Sequence, residues 1–155
     1  MAKNRFVNTK FWSDTYVADI DPLEKLLFLY FLTNPFTNIC GIYEIPIKQI
    51  ALDTGIDKSN IEKVFLPRLK KAGKIFYIDG WVYVVNFTKH QANDNPNIIN
   101  GIKKGKALVP SHIMKKIDTL SIGYTILPNP TQVFESESES EFESESELKP
   151  KATQS

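Results

Sequence analysis

The sequence predicts an α+β fold, and three observations carry that expectation. A dense apolar helix pattern runs from Leu23 to Thr33, two shorter helix patterns meet around Gly55, and two alternating runs flank Asp79-Gly80. Helical spacing followed by a strand hairpin within residues 21–90 describes one small mixed domain.

Each element has its own local reason. Residues 1–20 contain Phe6, Val7, Phe11, Trp12, Tyr16, Val17 and Ile20, which is too apolar for a free terminus. They read as an ordered lead-in with one short helix. Asp21-Pro22-Leu23-Glu24 opens the first long helix: Asp21 caps, Pro22 suits the first turn, and Glu24 can reach back. Asn34-Pro35 ends it, because proline disfavours helix at the residue before it. Gly41–Ile45 reads as a short strand. Pro46 opens a helix over residues 47–54, and Gly55 ends it in a left-handed conformation.

Asp57 or Ser59 then caps a helix reaching Ala72. Its buried side is Ile61, Val64, Phe65, Leu69 and Ala72. Pro67 lies inside it, removes the hydrogen bond to Lys63 and is expected to kink it. Asp-Gly between alternating runs is a strong hairpin signal. The two-residue turn pairs Ile78 with Trp81, Tyr77 with Val82, Phe76 with Tyr83 and Ile75 with Val84.

Beyond Phe87 the composition changes. Asn95-Pro96 and Val109-Pro110 each start a helix pattern, the second carrying Ile113, Ile117 and Leu120. From about residue 128 the chain becomes FESESESEFESESE, whose composition predicts disorder. The expected organisation is therefore an ordered lead-in (1–20), a core domain (21–90), a polar and helical extension (91–127) and a Glu/Ser-rich tail (128–155).

The formal net charge of +1 conceals a division. Seven glutamates fall within residues 135–147, and residues 1–134 carry 17 basic against 11 acidic side chains. A basic body favours polyanion partners through counterion release. The single cysteine, Cys40, excludes an internal disulfide and fits a reducing cytoplasm. The longest apolar run, Leu26 to Leu32, is too short to span a bilayer, so no membrane partner is expected. His90 and His112 are isolated, and no phosphate-binding glycine loop or HExxH pattern occurs. The sequence therefore suggests neither an enzyme nor a metal or other cofactor.

Helix, strand, helix, turn, helix, hairpin is the element order of a winged helix-turn-helix. In that fold the third helix lies in the DNA major groove. Projection at about 100° per residue turns Ser59, Asn60, Lys63, Pro67, Lys70 and Lys71 outward. Ser59 and Asn60 stand at the end that reaches bases, and Asn60 carries the amide needed for a bidentate pair with adenine. Lys63, Lys70 and Lys71, flanked by Lys48 and Lys58, suit phosphates. Lys103, Lys104 and Lys106 offer a second basic group for the backbone. The wing tip, Asp79-Gly80, is a poor phosphate partner. Phe76, Trp81 and Tyr83 share one hairpin face with Ile78. That face either packs on the lead-in or the extension, or forms a protein-interaction patch.

Taken together, RFVNTKFW, DPLEKLLFLYFLTNP, GIYEIP, GKIFYIDGWVYVVNF with TKHQ after it, NPNIINGIKKG and DTLSIGY resemble the winged-helix replication-initiation or replisome-organiser proteins of bacteriophages. The likeness spans roughly residues 4–147, including the acidic serine repeat. It implies double-stranded origin DNA as the ligand and recruitment of host replication proteins, such as a helicase or its loader. It also implies the cytoplasm of a bacterial host. Two other readings stand beside it: a transcriptional regulator on the same fold, and an adaptor for a helicase loader. A dimer would read half-sites about one turn apart, but the sequence identifies no dimer face.

Overall fold

The computed structural model describes residues 3–91 and 95–126. The chain divides into a compact unit, Met1–Thr119, and a second, Leu120–Ser155. The lead-in and most of the helical extension thus belong to the same unit as the core. The Glu/Ser-rich tail lies outside the described residues.

A 3₁₀ turn (Thr9–Ser13) precedes α1 (Thr15–Asp19) and α2 (Pro22–Thr33). Strand β1 (Ile42–Glu44) leads into α3 (Ile47–Thr54) and α4 (residues 58–71). The hairpin β2 (Ile75–Ile78) and β3 (Trp81–Val84) follows, then α5 (Phe87–Gln91), α6 (Pro96–Ala107) and α7 (Ser111–Ile126). The fold of the described residues is α+β: seven helices and a three-stranded antiparallel sheet in the order β1-β3-β2. This arrangement is compatible with a winged helix.

The hairpin has the register the sequence implies, from Ile78 opposite Trp81 to Ile75 opposite Val84. Asp79 and Gly80 turn with φ of 49° and 87°. Positive φ at both central residues matches the twist of the flanking strands. Strand β1 adds to the other edge of β3, with Ile42 opposite Tyr83 and Glu44 opposite Trp81.

Side chains alternate across a strand, and here both faces are apolar. Tyr43, Ile45, Ile75, Val82 and Val84 join Leu27, Phe31, Ile50, Ile61, Phe65 and Leu69 in one cluster beneath α2, α3 and α4. Ile42 joins Cys40, Val109, Ile113 and Ile117 in a second cluster, against which Ile78, Trp81, Tyr83 and Ile102 pack. The sheet is therefore a middle layer. Its first face carries α2–α4, and its second carries α6 and the beginning of α7. Leu27 and Phe31 are fully buried, and each such side chain stabilises the fold by about 1.5–3 kcal/mol.

The lead-in is fastened in two ways. Phe11 stacks on Phe28 of α2 with ring centroids 5.5 Å apart. The Arg5 guanidinium donates to the Thr37 hydroxyl and carbonyl, both at 2.8 Å. The end of α2 is fixed by Asn34, whose side chain donates to the Tyr30 carbonyl at 3.0 Å and to the Tyr43 hydroxyl at 2.8 Å. Tyr43 in turn donates to the Phe31 carbonyl at 2.8 Å. Asn34 thus both ends the helix and ties it to β1.

Among the described residues, no helix is long and apolar enough to cross a membrane.

Gly41, which enters β1, has a φ of +75°, and a Cβ there would lie 2.7 Å from the Phe87 Cβ. Any side chain meets a left-handed backbone and a buried ring at once. Gly41→Ala should therefore lower unfolding stability by about 2–4 kcal/mol, combining left-handed strain with overpacking. Urea denaturation monitored by tryptophan fluorescence measures it, and a shift below about 1 kcal/mol would contradict this close-approach account.

Candidate nucleic-acid interface

Helices α3 and α4 meet at a short turn. Gly55 ends α3 with a φ of 75°, and Ile56, 3% exposed, anchors the turn in the core. Asp57 caps α4, its carboxylate accepting from the Ser59 and Asn60 amides at 3.0 and 3.3 Å. Of the two caps the sequence offered, Asp57 is the one used.

The kink expected at Pro67 takes a different form. Residues Ile61–Phe65 are π-helical, and the Leu66 amide donates to the Ile61 carbonyl five residues back. Proline has no amide to give and its ring crowds the carbonyl four residues earlier. A wider turn just before it absorbs both demands, and right-handed dihedrals continue through Phe65 and Leu66.

This wider turn also sets the phase of the helix. Ile61, Phe65 and Leu69 are spaced strictly by four. In an α-helix such a row winds by about 40° per step, so it drifts by about 80° from Ile61 to Leu69. The extra residue of the π turn opposes that drift, and all three are buried, at 0%, 6% and 0% exposure. The outward side obeys the same spacing: Ser59, Lys63, Pro67 and Lys71 are all exposed. Asn60 is exposed on the adjoining row, which continues through half-buried Val64 to exposed Arg68. Lys48, Lys58 and Lys70 are exposed as well. Helix α4 thus exposes five cationic side chains and one carboxylate, Glu62.

Arg68 was not among the sequence-predicted site residues. Its guanidinium lies 4.0 Å from the Glu24 carboxylate of α2, with the Arg68 side chain 58% exposed and that of Glu24 3% exposed. Sequence reasoning assigned Glu24 to capping. The visible sign of burial was its place three residues before Leu27 in a mostly apolar helix. Burial pushes its carboxyl above the ordinary value, and Arg68 partly offsets this. Glu24 Oε1 and the Tyr16 hydroxyl are both buried, and the two groups act on each other. Burial, with the Glu24 charge second, raises the Tyr16 phenol well above its usual range. The Lys74 ammonium sits 5.3 Å from the Tyr16 ring centroid. The Tyr16 phenol of the lead-in and charged groups from α2, α4 and the residue before β2 therefore meet at one end of α4.

The hairpin tip is acidic, as its sequence says, but it is answered. Lys116 of α7 pairs with Asp79 at 2.6 Å, and this hydrogen bond holds the Asp79 carboxyl below its ordinary value. The hairpin aromatics face the same helix. Phe76 is 2% exposed and stacks on Tyr83 at 6.1 Å. Trp81 and Tyr83 pack against the cluster of Cys40, Ile42, Val109, Ile113 and Ile117. The extension covers this face, so it is not an open patch.

Lys103, Lys104 and Lys106 are exposed on α6. That helix approaches the Ile39–Cys40 loop through glycines: a Cβ on Gly101 would lie 3.5 Å from Ile39 Cγ2, and one on Gly105 3.1 Å from Cys40 Sγ. The structure does not bring these three lysines together with those of α4. Among the described residues, no group of three His, Cys, Asp or Glu is placed to hold a metal ion.

Comparison of the chain with protein-family models, curated proteins and solved structures finds no match.

The Glu24 environment gives a pH prediction. Its carboxyl is held above the ordinary 4.5 in the folded state, so the folded chain binds that proton more tightly than the unfolded chain. The group's contribution to stability therefore falls as pH rises from about 4.5 through the folded value. Glu24→Gln should flatten the stability-pH curve in that interval, which thermal melts at successive pH values would reveal. An unchanged slope would remove Glu24 as its source.

Proposed function

We propose that residues 21–90 form a winged helix-turn-helix and that α4 enters the major groove of double-stranded DNA. The observation that supports this best is the outward row Ser59–Lys63–Pro67–Lys71, exposed along the whole of a helix docked on its apolar side. At 1.5 Å per residue α4 is about 21 Å long, enough to lie across a groove about 12 Å wide.

On this reading α3 and α4 are the bihelical unit and β2–β3 is the wing. Ser59 and Asn60, at the N-terminal end of α4, meet base edges. Lys48, Lys58, Lys63, Lys70 and Lys71 neutralise phosphates, and Arg68 extends the cationic edge. The Lys116–Asp79 pair reduces the repulsion an acidic tip would otherwise exert on the backbone.

The biological role we propose is initiation of replication at phage or prophage origin DNA, inside a bacterial host. It rests on the resemblance carried by RFVNTKFW, DPLEKLLFLYFLTNP, GKIFYIDGWVYVVNF and NPNIINGIKKG. Selection of bound sequences from random duplex, followed by footprinting on the source genome, tests it. Origin repeats support initiation, whereas promoter operators would identify a transcriptional regulator.

Two further measurements test the contact map. With about five phosphate contacts, log affinity should fall against log salt with a slope near −4.5. Affinity for duplex that does not respond to salt would refute phosphate binding by α4. Lys63→Glu with Lys71→Glu should weaken binding to every sequence alike, while Asn60→Ala should relax discrimination at one base position by about 1–3 kcal/mol. Binding arrays on specific and random duplexes separate the two patterns. Equal losses on both from Asn60→Ala would end its base-reading assignment.

A further inference from the structure

We infer that the lysine face of α6 is a second duplex-binding surface, so that one chain holds two DNA segments at once. The inference rests on the DNA-binding reading of α4 and adds a second ligand site to it.

The argument starts from the two faces of the sheet. Helix α4 packs through Ile61, Phe65 and Leu69 on the face that carries Tyr43, Ile45, Ile75, Val82 and Val84. Helix α6 belongs to the other side: Ile102 packs on the cluster of Cys40, Ile42, Val109, Ile113 and Ile117. Gly101 and Gly105 press its backbone against Ile39 and Cys40. Glycines at i and i+4 share one helix face; Lys103 lies opposite it, Lys104 and Lys106 lie on its flanks, and all three are exposed. Lys103, Lys104 and Lys106 therefore project outward from the layer that does not carry α4.

A duplex seated on α4 lies against the layer on one face of the sheet, and these lysines belong to the layer on the other. A short duplex is also too stiff to fold around the chain, since DNA persists over about 150 base pairs. The five lysines assigned to the phosphates of the α4 footprint therefore do not include those of α6.

The α6 face has the chemistry of a phosphate surface. Residues 96–107 hold three lysines and no aspartate or glutamate. All three lysines are exposed, and the glycine contacts hold the backbone that carries them. Exposed Asn97 and Asn100 add amides near its leading end, and no carboxylate of the helix opposes a phosphate.

A bridging assay with the full chain tests this. Duplexes of about 16 base pairs, too short to wrap, are fixed to beads, and retention of a second, fluorescent duplex is read at low salt. The native chain should retain it. Lys103→Glu, Lys104→Glu and Lys106→Glu together should cut retention about tenfold or more, yet change affinity for one isolated duplex carrying the selected site less than about threefold. The corresponding Lys→Gln triple should give an intermediate loss, and unchanged thermal midpoints would show that both variants fold. Bridging that survives the Glu triple would overturn the inference, as would a native chain that binds one duplex and never a second. Parallel loss of single-duplex affinity would also overturn it, by showing one footprint. A native chain that binds no duplex at all would instead sink the α4 reading itself.

Discussion

A three-stranded sheet with apolar side chains on both faces has to be covered on both faces, and this requirement organises the whole chain. Residues 21–85 can cover one side with α2, α3 and α4. They contain nothing to cover Ile42, Ile78, Trp81 and Tyr83. The helices beyond Phe87 therefore belong to the fold, and the compact unit extends to Thr119. Gly41 and Phe87 interlock at the edge of this arrangement, where absence of a Cβ lets α5 come against the start of β1.

The same requirement decides which surfaces are left for other work. Covering one face places α4 with its apolar row inward and its polar row outward. Covering the other buries Phe76, leaves Trp81 and Tyr83 half-buried, and places the α6 lysines outside. At the end of α4 the balance is electrostatic: Glu24 is buried and depends on half-exposed Arg68 for compensation. Removing one partner from such a pair costs more than the pair itself contributes, because the remaining charge keeps its desolvation penalty.

Much of this is legible in the sequence alone. The hairpin register followed from Asp79-Gly80, the caps of α2 and α6 from Asp21 and Asn95, and the limits of α3 from Pro46 and Gly55. These are local signals, in which one or two residues specify a backbone conformation. The exposed arc of α4 was also readable, since its apolar residues are regularly spaced. What could not be read depended on distant parts of the chain meeting. Glu24 is buried beside Arg68, 44 positions away in the sequence. Separation of the α6 lysines from those of α4 requires knowing which face of the sheet each helix chooses. The π turn lay between these cases: Pro67 announced a disturbance, but its form depended on keeping Ile61 and Leu69 on one side.

That turn makes the two halves of α4 separable in orientation. A single residue of slack at Ile61–Phe65 acts like the index pin of a dial. Losing one residue there would rotate everything beyond Leu66 by about 100° about the helix axis, with composition and length almost unchanged. Insertions and deletions at this spot would consequently be a route to a new recognition surface that point substitution does not offer.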